Sequence, residues 1–273
     1  EITMGELDGK VAIITGAGRR RSIGYSTAIA LATLGADIII TGTGRDPSTF
    51  PDDEKSMGWK DVKSTAEDIE KLGRRALPIT VDVTNVEQTE NMVSQAVEAF
   101  GRVDILINNA AVAVGKDRAP IVDVEPEVFQ RVVDVKIRGT YLCTRSFVKQ
   151  LLKQDQGGKI VSVSSVAGKR GSAATAAYNA GNFAVIGMTQ SLAKELGPHK
   201  INVNAVCPAA VDTARMDVFG RGEAWKKREA EHPIGRAGTP SEVGNFIAFL
   251  CTEAAAWIHG QSINIDGGMV MEH

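Results

Sequence analysis

The chain alternates between short apolar runs and longer segments in which apolar residues recur at helical spacing. The apolar runs predict strands at Val11–Thr15, Ile38–Thr41, Leu77–Val83, Ile105–Ala111, Lys159–Ser164, Ile201–Val206 and Ile263–Ile265. The intervening segments predict helices at Ser26–Leu34, from Thr84 (a capping box with Glu87), from Pro126 to about Gln154, at Ala176–Leu196 and at Glu242–Cys251. This alternation predicts one doubly wound α/β domain over residues 1–273, with a parallel sheet of about seven strands.

Two stretches interrupt this alternation. Gly44–Lys60 is polar and contains prolines, and Asp212–Pro233 follows the sixth predicted strand. Long loops at the carboxyl ends of parallel strands are where ligands bind in such sheets. We therefore expect a substrate lid at about residues 212–233.

Composition narrows the range of partners. Of 273 residues, 43% are hydrophobic and 23% charged, which is typical of a globular protein. The 31 basic and 33 acidic residues give a net charge of −2, so we expect neither nucleic acid nor a membrane as a partner. The three cysteines lie far apart, and the four histidines lack metal-ligand spacing. These features predict a cytoplasmic protein without a metal.

Glycine is abundant, with 28 residues against 9 prolines, and it clusters after the first predicted strand. There the chain contains Gly16, Gly18 and Gly24, followed by a helix of small residues. Glycines allow the backbone to approach a pyrophosphate, and the N-terminus of the next helix offers unpaired N–H groups. The strand–loop–helix context favours a dinucleotide site over an ordinary turn.

This loop resembles the TGxxxGxG fingerprint of the short-chain dehydrogenase/reductase family, which has a Rossmann-type fold. Further family motifs follow in order: Asp82-Val83, Asn108-Asn109-Ala110-Ala111, Ser164-Ser165, Tyr178, Asn204-Ala205-Val206-Cys207-Pro208-Ala209 and Asp266-Gly267-Gly268. The loop is two residues longer than the fingerprint and has Ser22 where a glycine is usual, so it is more similar to the enoyl-reductase branch. Ala209 also replaces a family glycine.

The resemblance implies a nicotinamide cofactor. From the resemblance together with the arginines near the glycine loop, the positions expected to bind the cofactor are Gly16, Gly18, Arg19, Arg20, Arg21, Ser22, Ile23, Gly24, Arg45, Asp82, Val83, Asn109, Ala110, Ala111, Tyr178, Asn182, Pro208, Val211 and Thr213. Within this set, Asp82 and Val83 are expected to flank the adenine, and Val211 and Thr213 to approach the nicotinamide amide.

The choice between NAD(H) and NADP(H) depends on the end of the second strand. The strand ends Thr41-Gly42-Thr43-Gly44-Arg45, without the carboxylate that binds a ribose 2′-hydroxyl in NAD enzymes. Arg19, Arg20 and Arg21 lie in the glycine loop, and arginine is the preferred partner of a phosphate. The sequence therefore favours NADP(H), with solvated loop charges as the alternative.

Reduction of a carbonyl requires a proton donor, and the resemblance assigns that role to Tyr178. Ser165 lies 13 residues earlier, at the family's spacing, and would hold the substrate oxygen. A tyrosine with an ordinary pKa near 10 needs a nearby cation to act close to neutrality. The family supplies it from a YxxxK motif, but this chain has Asn182 at the lysine position.

A lysine stands instead at the family's asparagine position. The family's vNxxG pattern corresponds to Val135-Lys136-Ile137-Arg138-Gly139, so the two residue types are exchanged. Helical spacing places Lys136 opposite Arg131, Asp134 and Arg138, on the apolar stripe. We hypothesise that Lys136 supplies the cation near Tyr178 and that Asn182 holds a ribose hydroxyl. The alternative is that Lys136 extends to solvent and the protein is a weak or non-reductive relative.

These residues predict an NADP(H)-dependent oxidoreductase that interconverts a secondary alcohol and a ketone. The expected substrate is a small to medium-sized hydrophobic carbonyl compound or alcohol, with an aromatic ring or an acid group as open options, ringed by Gly115–Pro120, Lys169–Ala174 and Met216–His232. We interpret the rim charges Arg118, Lys169, Arg170 and Arg221 as solvated. An isomerase or lyase that uses the cofactor without redox change and a non-catalytic NADP-binding sensor are the alternatives. The resemblance also implies a homotetramer or homodimer.

Overall fold

The computed structural model describes residues 5–272. Its centre is a parallel sheet of seven strands in the order β3-β2-β1-β4-β5-β6-β7, which confirms the predicted Rossmann-type doubly wound fold. The strands are β1 Val11–Ile14, β2 Asp37–Gly42, β3 Ala76–Thr80, β4 Ile105–Asn108, β5 Gly158–Val163, β6 Ile201–Pro208 and β7 Ser262–Ile265. The order reverses between β1 and β4, and ligands bind at this point in such sheets.

Helices cover both faces of the sheet. They are α1 Ile23–Thr33, α2 Asp52–Ser56, α3 Val62–Glu70, α4 Val86–Phe100, α5 Pro126–Val132, α6 Gly139–Gln154, α7 Ala176–Leu196, α8 Glu223–Ala230 and α9 Pro240–Leu250. Two hydrophobic clusters lie between these layers. One contains Ala12 and Ile14 of β1, and the other contains Val11 and Ile13, because alternate residues of a strand face opposite sides.

Two local predictions differ from the structure. The N-cap of α4 is Asn85, whose side chain accepts from Gln88 N at 3.0 Å, so the capping box predicted at Thr84 and Glu87 is wrong. Asp82 already holds Thr84, accepting from both its N and its Oγ1. The region after β2 contains α2, which the polar composition of Gly44–Lys60 concealed, and α3, which follows that stretch and was not predicted.

The long helix predicted from Pro126 to about Gln154 is divided by a π-helical segment, Val133–Arg138, between α5 and α6. The Gly139 N–H bonds to the Asp134 carbonyl, five residues back. A π segment inserts one extra residue into a helix and changes the direction of the side chains around it. Lys136 lies at the centre of this segment.

Helices α1 and α9 approach each other closely at Gly244. A Cβ at this position would lie 2.7 Å from the carbonyl carbon of Ser26 and 2.8 Å from Thr27 N. The glycine therefore allows backbone contact between α9 and the helix that follows the glycine loop.

We predict that Gly244→Ala lowers the free energy of unfolding by about 1–3 kcal/mol, because α9 must move away from α1. Gly171→Ala is the control, since Gly171 is exposed, its φ is not positive and a Cβ there meets nothing within 4 Å. The control should change the free energy of unfolding by less than about 0.5 kcal/mol. Urea unfolding measures both, and equal effects would contradict the packing argument.

Candidate functional site

The glycine loop is held against the end of β4. Gly16 has a φ of +70°, and a Cβ there would lie 2.9 Å from Ala110 Cα. The Asn109 side chain donates to the carbonyls of Thr15 and Gly16, both at 2.9 Å. The backbone N–H groups of Asn109 and Ala110 donate to Thr15 Oγ1. The close backbone approach therefore requires glycine at position 16.

Ser22 forms the N-cap of α1. Its Oγ accepts from Tyr25 N at 3.1 Å and donates to the Arg19 carbonyl at 2.6 Å. The serine that replaces a family glycine thus fixes the longer loop to the helix it precedes. The positive end of the α1 dipole adjoins the cavity, since Ser22 and Ile23 both line it.

A segment that we call the strap, residues 47–61, packs over the glycine loop. Glu54 is fully buried and accepts from Arg19 Nη1 at 3.0 Å and from Arg20 N at 2.8 Å. Trp59 donates its indole N–H to the Gly18 carbonyl at 2.6 Å. The polar composition of this region gave no sign of these long-range contacts.

The strap changes the interpretation of the loop arginines. Arg19 pairs with Glu54 and lies over the Phe50 ring, and Arg21 pairs with Asp53 of the strap and Asp217 of the lid. The carboxylates hold the pKa of Arg21 above its ordinary value, chiefly through the hydrogen bond to Asp217. These two guanidinium groups are therefore already paired with carboxylates, which leaves them less available to a phosphate.

A cavity of about 1130 Å³ extends from the glycine loop to the lid. The predicted residues that line it are Gly16, Arg19, Arg21, Ser22, Ile23, Arg45, Asn109, Ala111, Lys136, Ser165, Tyr178, Pro208, Val211 and Thr213. The other predicted positions do not line it; they are Gly18, Arg20, Gly24, Asp82, Val83, Ala110 and Asn182. The structure thus places the predicted acid/base, the serine and the relocated lysine in one cavity.

Three side chains that could take part in catalysis line the same cavity. Ser165 Oγ accepts from Ala167 N at 3.1 Å and donates to the Pro208 carbonyl at 3.3 Å. Tyr178 lies on the first turn of α7. Lys136 Nζ donates to the Val163 carbonyl at 2.5 Å.

Lys136 is 7% exposed and does not extend to solvent. Its stem lies against Gly181 of α7, where a Cβ would come within 3.1 Å of Lys136 Cγ. Burial, followed by the positive charge of Arg215, lowers the pKa of Lys136 to about 7. The amine is thus held in the cavity wall with a carbonyl as its partner and changes charge near neutrality.

Asn182 occupies a different environment from the one predicted. Its Nδ2 donates to the Tyr178 carbonyl at 2.8 Å, while its Oδ1 is buried without a hydrogen-bond partner among the described residues. The side chain is 1% exposed and does not line the cavity. A direct contact with a ribose hydroxyl would require it to change rotamer.

Two arginines lie next to the Tyr178 ring. The Arg118 guanidinium carbon lies 3.7 Å from the centre of the Tyr178 ring, and that of Arg215 lies 5.7 Å away. Arg118 had been interpreted as a solvated rim charge, and this was wrong because the guanidinium stacks on the ring and pairs with Asp117. Arg215 carried no motif that could have indicated it.

Comparison with known proteins identifies the family. A family model described as "Enoyl-(Acyl carrier protein) reductase" matches residues 16–270. The chain is 34% identical to a 3-oxoacyl-[acyl-carrier-protein] reductase of Synechocystis, over 98% of this chain and 100% of that protein. It is also 34% identical to galactitol 2-dehydrogenase of Agrobacterium fabrum, over 96% of this chain and 98% of the relative.

The chain belongs to the short-chain dehydrogenase/reductase family. The crystal structure of carveol dehydrogenase from Mycobacterium avium in complex with NAD superposes with a TM-score of 0.88 and 30% identity. That superposition covers 98% of this chain and 100% of the other.

As a member of the short-chain dehydrogenase/reductase family, the chain has a loop that fits an NAD(P) cofactor. The glycine loop has no room for a Cβ at Gly16, and the N-terminus of α1 adjoins the cavity. Within residues 5–272, no helix is long and apolar enough to cross a membrane. The same residues contain no cluster of three metal-ligating side chains.

We predict that Glu54→Gln lowers the free energy of unfolding by about 2 kcal/mol, because Arg19 loses its buried counter-charge. Asp53→Asn is the matched control on the same helix, since it pairs with Arg21 at the surface and should cost less than about 1 kcal/mol. Urea unfolding followed by tryptophan fluorescence measures both. Equal losses would contradict the assigned role of the buried pair.

Proposed function

We propose that this protein is an alcohol dehydrogenase or ketone reductase that interconverts a secondary alcohol and a ketone. The observation that carries the proposal is the convergence of Ser165, Tyr178 and Lys136 in one cavity with the glycine loop. The relatives support an oxidoreductase, since their names describe dehydrogenases and reductases. A bound nicotinamide cofactor supplies or accepts the hydride in this chemistry.

Tyr178 is the proposed proton donor in reduction and proton acceptor in oxidation. Its hydroxyl would move a proton to or from the substrate oxygen as the carbonyl carbon changes oxidation state. Ser165 would orient that oxygen through its Oγ, whose position is fixed by Ala167 N and the Pro208 carbonyl. Both side chains are held by backbone partners or by a helix, so they are positioned before the substrate binds.

Lys136 is the proposed source of positive charge beside Tyr178. The absence of a lysine at position 182 leaves the family's usual arrangement incomplete. Lys136 lies against the turn of α7 that follows Tyr178, as its contact with Gly181 supports. A protonated amine at this place would stabilise the negative charge that develops on the Tyr178 oxygen as its proton leaves.

NADP(H) is the proposed cofactor in preference to NAD(H), and the proposal now depends on Arg45. Unlike Arg19 and Arg21, Arg45 makes no ion pair within residues 5–272, and it lines the cavity. Burial and the neighbouring charge of Arg19 lower its pKa, so a phosphate would relieve repulsion between the two guanidinium groups. Asp61 opposes this preference, since its carboxylate lies against Gly18 and Gly42 at the end of β2.

We also propose that the protein forms a homotetramer or homodimer and that it is cytoplasmic. Tyr141 of α6 and Phe183 of α7 are about half exposed on the long helices, at 52% and 47%. Burial of these side chains against another copy would remove apolar surface from water. The three cysteines are unpaired and buried, which supports a reducing compartment.

We predict that Tyr178→Phe lowers kcat by a factor of about 10² or more while cofactor affinity is unchanged. Lys136→Asn should also lower the rate, and the double variant Lys136→Asn/Asn182→Lys should recover part of it by restoring the family's arrangement. Steady-state kinetics on a ketone panel, followed by nicotinamide absorbance, measure all three. A wild-type rate in Lys136→Asn would refute the relocated cation.

The pH dependence gives a second measurement on Lys136. Because burial lowers its pKa to about 7, the ammonium is present below that pH and is lost as the pH rises through it. The wild-type reduction rate should therefore fall above about pH 7, and Lys136→Met should lack this decrease.

The same assays distinguish the alternative functions. Product formed without net change in nicotinamide absorbance would favour an isomerase or lyase, and cofactor binding without turnover would favour a sensor.

We predict that Arg45→Ala weakens NADP(H) binding by about tenfold and leaves NAD(H) binding nearly unchanged, because a charge-assisted contact to the 2′-phosphate is lost. Asp61→Asn is the reciprocal control, and it should strengthen NADP(H) binding by removing a like charge. Calorimetric titration of both cofactors measures the ratio. Equal weakening of both by Arg45→Ala, or tighter wild-type binding of NAD(H), would contradict the preference.

A further inference from the structure

Positive charge accumulates around Tyr178 without a matching number of carboxylates. Arg118, Arg215 and Lys136 line the cavity with Tyr178. Asp117 pairs with Arg118 through a 3.1 Å contact to Nε, and it also accepts from Gly115 N. It therefore compensates one of the three cationic side chains.

Arg215 has no carboxylate paired with it. Within residues 5–272, its guanidinium forms no ion pair or hydrogen bond, although it is partly buried at the start of the lid. Burial is the main cause that lowers its pKa; the charge of Arg118 acts in the same direction, while Tyr178 and Asp117 act in the opposite one. Removing a cation from water without a counter-charge is costly, so a guanidinium in this position requires a partner that the protein itself does not supply.

The carboxylates that line the lid side of the cavity do not serve Arg215. Asp217 is taken by Arg21 and Arg221, and Glu231 is exposed. A second lid arginine, Arg228, has its Nε buried without a hydrogen-bond partner among the described residues and lines the same cavity. Two independent cations on the lid therefore face the cavity without protein acceptors.

We propose that Arg215 binds a carboxylate of the substrate, so that the substrate class is an oxo acid or the corresponding hydroxy acid. This inference rests on the proposed function, because it names the substrate of the same site. Arginine pairs with carboxylates through two parallel hydrogen bonds, which fixes orientation as well as affinity. This proposal narrows the hydrophobic carbonyl compound or alcohol expected from the sequence to one that carries an acid group.

The distances restrict where the carboxylate lies in the substrate. The guanidinium carbon of Arg215 is 5.7 Å from the centre of the Tyr178 ring. A substrate whose carbonyl oxygen meets the Tyr178 hydroxyl would bring its acid group to Arg215 within a few bonds of the reacting carbon. The same anion would offset the positive charge that Arg215 exerts on Lys136, and so favour the protonated amine.

The test compares acids with uncharged analogues in binding and in turnover. The probes are 4-oxopentanoate and 4-acetylbenzoate, each against its methyl ester, titrated into the cofactor-loaded protein. We expect the wild type to bind each acid at least about tenfold more tightly than its ester. Arg215→Met should reduce that ratio to within about twofold and leave cofactor affinity unchanged.

Arg221→Met is the matched control, because Arg221 lies on the same lid but does not line the cavity and is already paired with Asp212 and Asp217. It should retain the wild-type preference for acids. Equal wild-type affinity for acid and ester, or equal weakening of both by Arg215→Met, would overturn the inference. So would a loss of cofactor affinity in Arg215→Met with the acid preference intact, because the partner of Arg215 would then be a cofactor phosphate.

The outcomes separate this inference from the proposed function. Acids that bind through Arg215 but are not oxidised or reduced would support the ligand class and refute the reductase. Neutral ketones that are reduced while both acids neither bind nor react would refute the ligand class and support the reductase.

Discussion

Burial of both faces of the parallel sheet is the constraint on which the rest of the structure depends. Helices cover the two hydrophobic clusters on either side of the strands, so polar chemistry is confined to the edge where the strands end. The glycine loop after β1, Ser165 after β5 and the lid after β6 all lie at that edge. The cavity follows from this arrangement, since its walls come from segments that leave the sheet in the same direction.

The site is organised by the pairing of charges. At one end, the strap neutralises Arg19 with a fully buried Glu54 and holds Arg21 with Asp53. At the other end, Arg215 and Lys136 lack carboxylate partners among the described residues. The cavity therefore has internally compensated charge near the glycine loop and an excess of positive charge near Tyr178, which is the physical basis for assigning different ligand groups to the two ends.

The exchange of lysine and asparagine has a geometric basis. Position 182 lies deep in α7 and is 1% exposed, so an asparagine there can bond to the Tyr178 carbonyl within its own helix. Position 136 lies in the π-helical segment, where the local change in helical pitch directs a long side chain towards the Val163 carbonyl. Gly181 provides the room for that side chain beside α7.

The sequence by itself determined the sheet, because strands buried on both faces must be apolar runs and the glycine loop must contain glycines. It also singled out Ser165 and Tyr178, which match family motifs, and Lys136, which stands at a family asparagine position; all three line one cavity. Only the tertiary structure decided the partners of the charges. Arg19 meets Glu54 across 35 residues, and Arg21 meets Asp217 across 196, separations that no local pattern encodes. The same holds for Arg118 and Arg215, which become neighbours of Tyr178 because loops from different strands close over one edge of the sheet.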